Sequence, residues 1–308
     1  MGEQTTDPAA EDTAEALLAD ALTREARALT AVVPVLRHLL GCETPALLSD
    51  AILARVRGMI ADCAAQLLAI AEARDPAIRL PLAPDSLDPL TERLMADEAL
   101  LAHCHALAAE GLIAERLQQR SGLDPVLSPL LQELIAADDP AVASLAMSAL
   151  AAQSRFVQSQ RRMELPLGEL PAELFHRLVA STVDNAALAR AQAGYDEATS
   201  RIGLLARLVA AMRRGAVAAL ALDHGGLALF TSALAEAARQ PRAGVVLACH
   251  EGQAVRLALL LRAGGQEPAA IERQLSLVGP AGHMPRAIAA LAPGRAAALL
   301  ASGGGTGV

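Results

Sequence analysis

Alanine and leucine dominate this chain, with 71 alanines and 53 leucines among 308 residues. Both residue types favour the helix. Valine and isoleucine, which suit the pleated sheet, number only 16 and 9, and the aromatic residues are three phenylalanines and one tyrosine. The composition therefore predicts an all-α fold of many helices and excludes a large β-sheet.

The length and the cysteine pattern bound the kind of protein further. A chain of 308 residues can bury a large core without disulfides or a structural metal. The four cysteines, at positions 42, 63, 104 and 249, follow no zinc-binding or redox spacing. The acidic N-terminus has no secretory signal, and no uninterrupted apolar run of about 18 residues is present. We expect a cytoplasmic protein with no cofactor, no metal and no membrane span.

The formal net charge of −8 is divided unevenly along the chain. Residues 1–165 carry 13 arginines and 24 acidic residues, whereas residues 166–308 carry 13 arginines and 10 acidic residues. The sequence has no lysine, so every permanent cation is an arginine. Neither half has a dense basic stripe with interleaved aromatic residues, so nucleic-acid binding is not predicted.

Proline and glycine divide the chain into predicted units. Residues 1–11 and 301–308 are polar or glycine-rich and predict disordered tails. Residues 161–171 contain two prolines and a glycine, which interrupt the helical pattern. We interpret them as a junction between one helical subdomain at 12–160 and a second at 172–300.

The first subdomain contains the clearest repeat-like unit. Apolar residues in 127–135 fall on one helix face, Asp139 and Pro140 can begin a new helix, and residues 142–150 form another apolar face. This order of helix, acidic-proline turn and helix predicts hairpins of the HEAT or armadillo kind. Upstream, four prolines in residues 75–89 predict an extended connector.

Residues 185–214 predict one long helix with a heptad pattern. Leu188, Tyr195, Ile202 and Val209 are spaced by seven residues. Two partners suit such a stripe: the preceding helix of the same chain, in an antiparallel hairpin, or the same helix of a second copy, in a homodimer. The sequence leaves both open.

Three short motifs contain side chains capable of chemistry. His-Cys-His at 103–105 holds metal ligands, but neighbours on a helix point in different directions, so Cys104 is expected in the core between two surface histidines. Cys-His-Glu at 249–251 lacks a residue that would orient the histidine as a base. Asp-His-Gly-Gly at 223–226 is expected to be a turn with glycine at positive φ. None of the three predicts a catalytic or metal site.

The helix that begins near residue 171 holds the one candidate site. Its apolar residues define a buried arc, and His176 and Arg177 lie on the opposite side, facing solvent. An exposed histidine beside an arginine, ahead of a heptad helix, is the arrangement of a histidine-phosphotransfer domain, in which the arginine balances the added charge. The alternative is contact with a protein partner through Glu173, His176 and Arg177.

The sequence around this site resembles a known family. Residues 170–179 (LPAELFHRLV), 227–230 (LALF) and 259–265 (LLLRAGG) are similar to segments of the bacterial domain-of-unknown-function family 2336, found in alphaproteobacteria. The resemblance extends over about residues 120–280. It implies an all-helical, partly HEAT-like cytoplasmic protein and assigns no activity.

These observations predict a non-enzymatic helical adaptor or regulatory protein that binds another protein in bacterial signalling or stress response. The scarcity of aromatic residues argues against a well-formed small-molecule pocket. A phosphotransfer or response-regulator-interacting protein that uses His176 is the main alternative. A carrier whose alanine- and leucine-rich helices enclose an apolar ligand is a further one.

Overall fold

The computed structural model describes residues 8–40, 49–78, 84–183, 185–279 and 286–303. Within these ranges the chain forms helices packed on helices and no strand, so the predicted all-α fold is confirmed. Alanine and leucine explain this outcome because both lose little conformational freedom on entering a helix.

The helices follow one another with short connections, several of which are single 3-10 turns. In chain order the α-helices are α1 Pro8–Thr30, α2 Val32–Leu40, α3 Asp50–Ala71, α4 Pro84–Met95, α5 Glu98–Ser121, α6 Pro129–Ile135, α7 Pro140–Arg162, α8 Ala172–Ala180, α9 Asn185–Ala193, α10 Arg201–Met212, α11 Leu222–Ala238, α12 Arg242–Ala248, α13 Ala254–Ala263, α14 Pro268–Val278, α15 Arg286–Ala290 and α16 Pro293–Gly303.

The two end helices extend into the predicted disordered tails. α1 begins at Pro8 and α16 ends at Gly303, so residues 8–11 and 301–303 are helical. Proline suits the first turn of a helix, where its missing N–H group would have no partner. Residues 1–7 and 304–308 lie outside the described residues.

α4 corrects the extended connector predicted at residues 75–89. The helix begins at Pro84 and continues through Pro89 to Met95. The first N–H groups of a helix have no partner within it, so Pro84 costs little, whereas Pro89 lies in the second turn and removes one backbone hydrogen bond of the helix. Residues 79–83, which precede α4, lie outside the described ones.

α6 and α7 form the helical hairpin that the sequence predicts at residues 127–150. Asp139 caps α7 by accepting a hydrogen bond from the Ala141 N–H at 2.9 Å, and Ser128 caps α6 by accepting one from Leu131 at 3.2 Å. α7 continues to Arg162, a full three turns beyond the predicted face. A HEAT-like repetition of this hairpin stays a prediction.

The prediction of one continuous helix over residues 185–214 is wrong. α9 ends at Ala193, residues 197–199 form a 3-10 turn, and α10 begins after Ser200, whose Oγ accepts a hydrogen bond from Gly203 N at 3.1 Å. A Cβ atom on Gly203 would lie 2.2 Å from the Glu197 carbonyl oxygen, so only glycine lets the turn pack against α10. The heptad stripe is therefore broken in the middle.

The buried apolar residues form two clusters, which we name core A and core B. Core A combines α6, α7 and α10–α16 with the second half of α5 and two leucines of α1. Core B combines α2, α3 and α4 with the first half of α5, residues 165–170 and α8. The cores divide the chain differently from the predicted subdomains, 12–160 and 172–300, because α8 packs with N-terminal helices and α6 and α7 pack with C-terminal ones.

α5 passes from one core to the other. Its core B residues end at Ala108, and its core A residues begin at Ile113. Glu110, which is buried to 1% exposure, lies between the two groups. The helix thus contributes a carboxylate at the boundary of the two cores.

Residues 163–170, which we name the connector, coincide with most of the predicted junction and are folded against α3. Gln66 of α3 donates from Nε2 to the Leu165 carbonyl oxygen at 2.8 Å, and its Oε1 accepts from the Leu167 N–H at 3.0 Å. Leu170 is fully buried. The connector is therefore an integral part of core B.

Within the described ranges, no single helix is long and apolar enough to cross a membrane. One pair of segments, Arg242–Ala248 and Glu251–Ala263, meets the length and composition requirement together but is bent by 104°. Both segments contribute buried residues to core A.

Candidate functional site

α8 presents its predicted polar face to solvent. Glu173, His176 and Arg177 are exposed, whereas the apolar residues of the same helix are buried in core B. The predicted orientation of this helix is therefore confirmed. The 3.6-residue period explains it, because the exposed residues lie on the side opposite the apolar stripe.

Arg177 is already paired within the chain. Its guanidinium donates hydrogen bonds to both carboxylate oxygens of Asp97, one of them from Nη2 to Oδ1 at 3.1 Å. Asp97 also caps α5 by accepting from the Leu100 N–H at 2.9 Å. Partial burial opposes ionisation of Asp97, but the hydrogen bonds from Arg177 and the backbone lower its pKa. The cation expected to balance a phosphoryl group on His176 is thus bound to a carboxylate.

His176 rests against a pair of aromatic rings. The rings of Phe175 and Tyr195 stack with centroids 4.0 Å apart, and the His176 ring meets them edge-on at 5.3 and 5.4 Å. The Tyr195 hydroxyl donates to the Leu170 carbonyl oxygen at 2.7 Å. Burial, together with nearby carboxylates, raises the pKa of Tyr195 to about 12, so the hydroxyl stays protonated. Tyr195, predicted in a heptad seam, instead anchors α8 to the turn after α9.

A groove of about 550 Å³, which we name the aromatic groove, lies beside this pair between the end of α3, the connector and α9. Its lining is mostly apolar and, among the described residues, contains two arginines, Arg74 and Arg190, and no carboxylate. Arg74 pairs with Glu72. Arg190 is exposed, and no ion-pair partner for it lies in the described part of the chain. The apolar and aromatic lining comprises Ile70, Ala73, Pro76, Ala77, Pro166, Leu167, Phe175, Ala187, Ala191 and Tyr195.

The interior contains an ion triad of Glu110, Arg201 and Arg242. Glu110 receives two hydrogen bonds from each guanidinium, at 2.7 and 2.8 Å in both cases. The side chains of Glu110 and Arg201 are each 2% exposed and that of Arg242 is 12% exposed. Two cations thus share one carboxylate at the boundary of cores A and B, and they join α5 to α10 and α12.

Gln153, Phe156 and His103 lie close to the ion triad. Arg201 also donates to Gln153 at 3.1 Å and lies over the Phe156 ring at 3.7 Å from its centroid. Burial opposes ionisation of Glu110, but the two arginines hold its pKa well below the ordinary range. Burial, then the charges of the two arginines, lowers the pKa of His103 to about 4. At neutral pH the histidine therefore adds no charge, and the triad keeps one net positive charge.

Sequence reasoning missed the triad because its members are far apart in the chain. Arg201 lies 91 positions and Arg242 132 positions from Glu110. One local signal was available: Glu110 is the single charged residue in an otherwise apolar run, 106–114. A buried carboxylate in such a run requires a cationic partner.

The structure corrects part of the His-Cys-His prediction. Cys104 is fully buried as predicted, and burial raises the pKa of its thiol. His105, expected at the surface, is only 7% exposed, and burial lowers its pKa to about 4. Among the described residues, no group of three or more histidine, cysteine or acidic side chains could hold a metal ion.

The other two motifs have structural roles. The Cys249 thiol is buried and donates to the Val245 carbonyl oxygen at 3.4 Å, and burial raises its pKa to about 12. His250 accepts at Nδ1 from the Gly252 N–H at 3.2 Å and so caps the following turn. Gly226 has φ 67° and bends α11, as predicted for the glycine turn. These contacts give no nucleophile and base pair.

Compared with protein-family models, with curated proteins and with solved structures, the chain matches none of them. The resemblance to family 2336 therefore stays a prediction.

Proposed function

We propose that this protein is a non-enzymatic helical adaptor that binds an amphipathic, acidic helix of another protein in the aromatic groove. The observation that carries the proposal is the groove itself: an apolar hollow of about 550 Å³ beside a stacked aromatic pair, lined also by Arg190, which has no ion-pair partner among the described residues. The proposal extends the predicted partner surface, because His176 of α8 touches the same aromatic rings.

The chemistry of the lining selects the partner. Apolar side chains of a partner helix would pack on Tyr195 and the apolar lining beside it, and an acidic residue would pair with Arg190. Ile78, next to the lining residue Ala77, is 56% exposed and adds apolar area for such a partner. The described part of this chain contains no β-strand with which a partner strand could pair. Binding of a partner helix in the groove is therefore the mode of peptide recognition that suits this fold.

The test is selection of partners from a random-peptide display library with the full-length protein. Selected peptides are expected to share apolar residues at helical spacing and at least one acidic residue. Binding of a labelled peptide is then measured by fluorescence anisotropy. Ala191→Phe, which fills the groove, should abolish binding, and Arg190→Glu should weaken it about tenfold because like charges then face each other.

Arg214→Glu is the matched control, because Arg214 is exposed and does not line the groove. It should bind the peptide as the wild type does. Equal binding by the wild type and Ala191→Phe would refute the groove as the site. Equal weakening by Arg190→Glu and Arg214→Glu would show a general effect of charge and refute the role of Arg190.

A further inference from the structure

A second hollow, distinct from the aromatic groove, lies between α5, α7, the connector and the start of α10. Its volume is about 370 Å³, within the range of sites that hold small molecules. We name it the arginine cavity, because three arginines line it. The lining consists of Leu107, Arg155, Phe156, Gln158, Ser159, Gln160, Arg162, Glu164, Leu165, Pro166, Glu169, Arg201 and Ile202.

One wall of the arginine cavity is a polar face of α7. Arg155, Ser159 and Arg162 line it at positions i, i+4 and i+7, which share one side of a helix. Both arginines are exposed at the mouth, and no ion-pair partner for either lies among the described residues. Arg161 is also exposed on α7 but does not line the cavity. Two guanidinium groups are therefore free to donate hydrogen bonds to a ligand there.

Apolar side chains form part of the remaining lining, and Phe156 is the aromatic one among them. Arg201 covers one face of this ring at 3.7 Å. Leu107, Leu165 and Ile202 complete an apolar lining that suits a flat or hydrocarbon body.

The charges around the cavity favour an anion. Of its two carboxylates, Glu169 already accepts a hydrogen bond from the Arg201 backbone N–H at 2.7 Å, and Glu164 lies on the connector side. Behind Arg201, the ion triad sets two guanidinium groups against one carboxylate. The lining itself contributes three arginines against two glutamates, so positive charge predominates at the cavity and behind it.

We propose that the arginine cavity binds a small organic oxyanion with an aromatic or similarly flat apolar body. The oxyanion accepts hydrogen bonds from Arg155 and Arg162, whose planar guanidinium groups match carboxylate and phosphate oxygens in pairs. The apolar body packs on Phe156 and Ile202. This site is independent of the proposed partner groove, although Pro166 lines both hollows.

Isothermal titration calorimetry of the full-length protein with phenyl phosphate, benzoate and inorganic phosphate tests the proposal. Phenyl phosphate is expected to bind at one site per chain, and inorganic phosphate about tenfold more weakly because it lacks the apolar body. Arg155→Glu and Arg162→Glu should each weaken phenyl phosphate at least about tenfold. Ile202→Trp, which fills the cavity, should abolish its binding.

The control variants separate this site from others. Arg161→Glu changes the same charge on the same helix outside the lining, and Ala191→Phe fills the aromatic groove; both should bind phenyl phosphate as the wild type does. Absence of saturable binding of both phenyl phosphate and benzoate to the wild type would overturn the proposal. Equal weakening in Arg161→Glu, or loss of binding in Ala191→Phe, would overturn it as well, since the anion would then bind by general charge or in the groove.

Discussion

Cores A and B are stabilised in different ways. Core A is mainly helix packed on helix, and Phe230 and Leu208 are among its largest fully buried side chains. Core B includes a non-helical segment, the connector, whose backbone is held by the side chain of Gln66. The comparison shows that a chain rich in alanine and leucine can bury irregular backbone, provided that a side chain supplies the hydrogen bonds that a helix would have supplied.

A polar layer separates these two cores. α5 and α7 both pass through this layer. It contains the ion triad and Gln153, and Arg201 of the triad also lies over the ring of Phe156. Buried polar groups of this kind need specific partners, whereas apolar surfaces accept many arrangements. The layer therefore fixes how α10 and α12 are placed against α5.

Deletion of residues 1–160 should have the largest effect on this arrangement. The deletion removes α6, nearly all of α7 and the second half of α5 from core A, which exposes the buried faces of α10 and α11. We expect the remaining fragment to unfold without a cooperative transition when circular dichroism is followed during heating. A sharp transition would instead support the predicted subdomain at 172–300 as an independent unit.

Glu110→Gln should destabilise the full-length protein by about 3–5 kcal/mol in urea unfolding, because Arg201 and Arg242 would remain buried without a counter-charge. Glu98→Gln is the matched control on the same helix. Its side chain is 71% exposed and pairs with Arg37, which is 43% exposed, so its replacement should cost less than about 1 kcal/mol. Similar losses in both variants would mean that the triad contributes no more than an ordinary surface pair.

The buried His105 should make a smaller, pH-dependent contribution to the stability of the protein. In the unfolded chain its imidazole takes up a proton near pH 6.5, whereas burial in the folded protein lowers the pKa to about 4. Between these values the unfolded state binds more protons, so stability falls as the pH falls, by up to about 1.4 kcal/mol per pH unit. Urea unfolding from pH 7 to 4 should show a shallower fall for His105→Gln than for the wild type.

The exposed His176→Gln is the control for that series and should retain the wild-type slope. If His105→Gln also retains it, the buried imidazole does not account for the pH dependence.

Local features of the fold could be predicted from the sequence, and distant contacts could not. The exposed face of α8, the cap at Asp139 and the turn at Gly226 depend on neighbouring residues, so periodicity and capping rules found them. A serine cap and a glycine signal the helix break before Ser200, but the seven-residue spacing that continues across it predicts an unbroken helix.

The candidate site was predicted in part. The sequence indicated α8 but not the aromatic groove beside it, because Phe175 of α8 and Tyr195, which follows α9, lie on different elements and meet only in the folded chain. The argument from few aromatic residues against a small-molecule pocket also has less force in the structure, because Phe156, Phe175 and Tyr195 all line hollows.

The hydrogen bonds of Gln66 restrict where this chain can gain or lose residues. Its side-chain amide donates to the Leu165 carbonyl oxygen and accepts from the Leu167 N–H, two residues further along the connector. A neighbouring β-strand would offer the connector the same pair of hydrogen bonds. Such a pair fixes the register of the connector on α3 as a ladder fixes a strand. An inserted or deleted residue between Leu165 and Leu167 would break one bond of the pair, whereas the exposed loops elsewhere can gain residues at little cost.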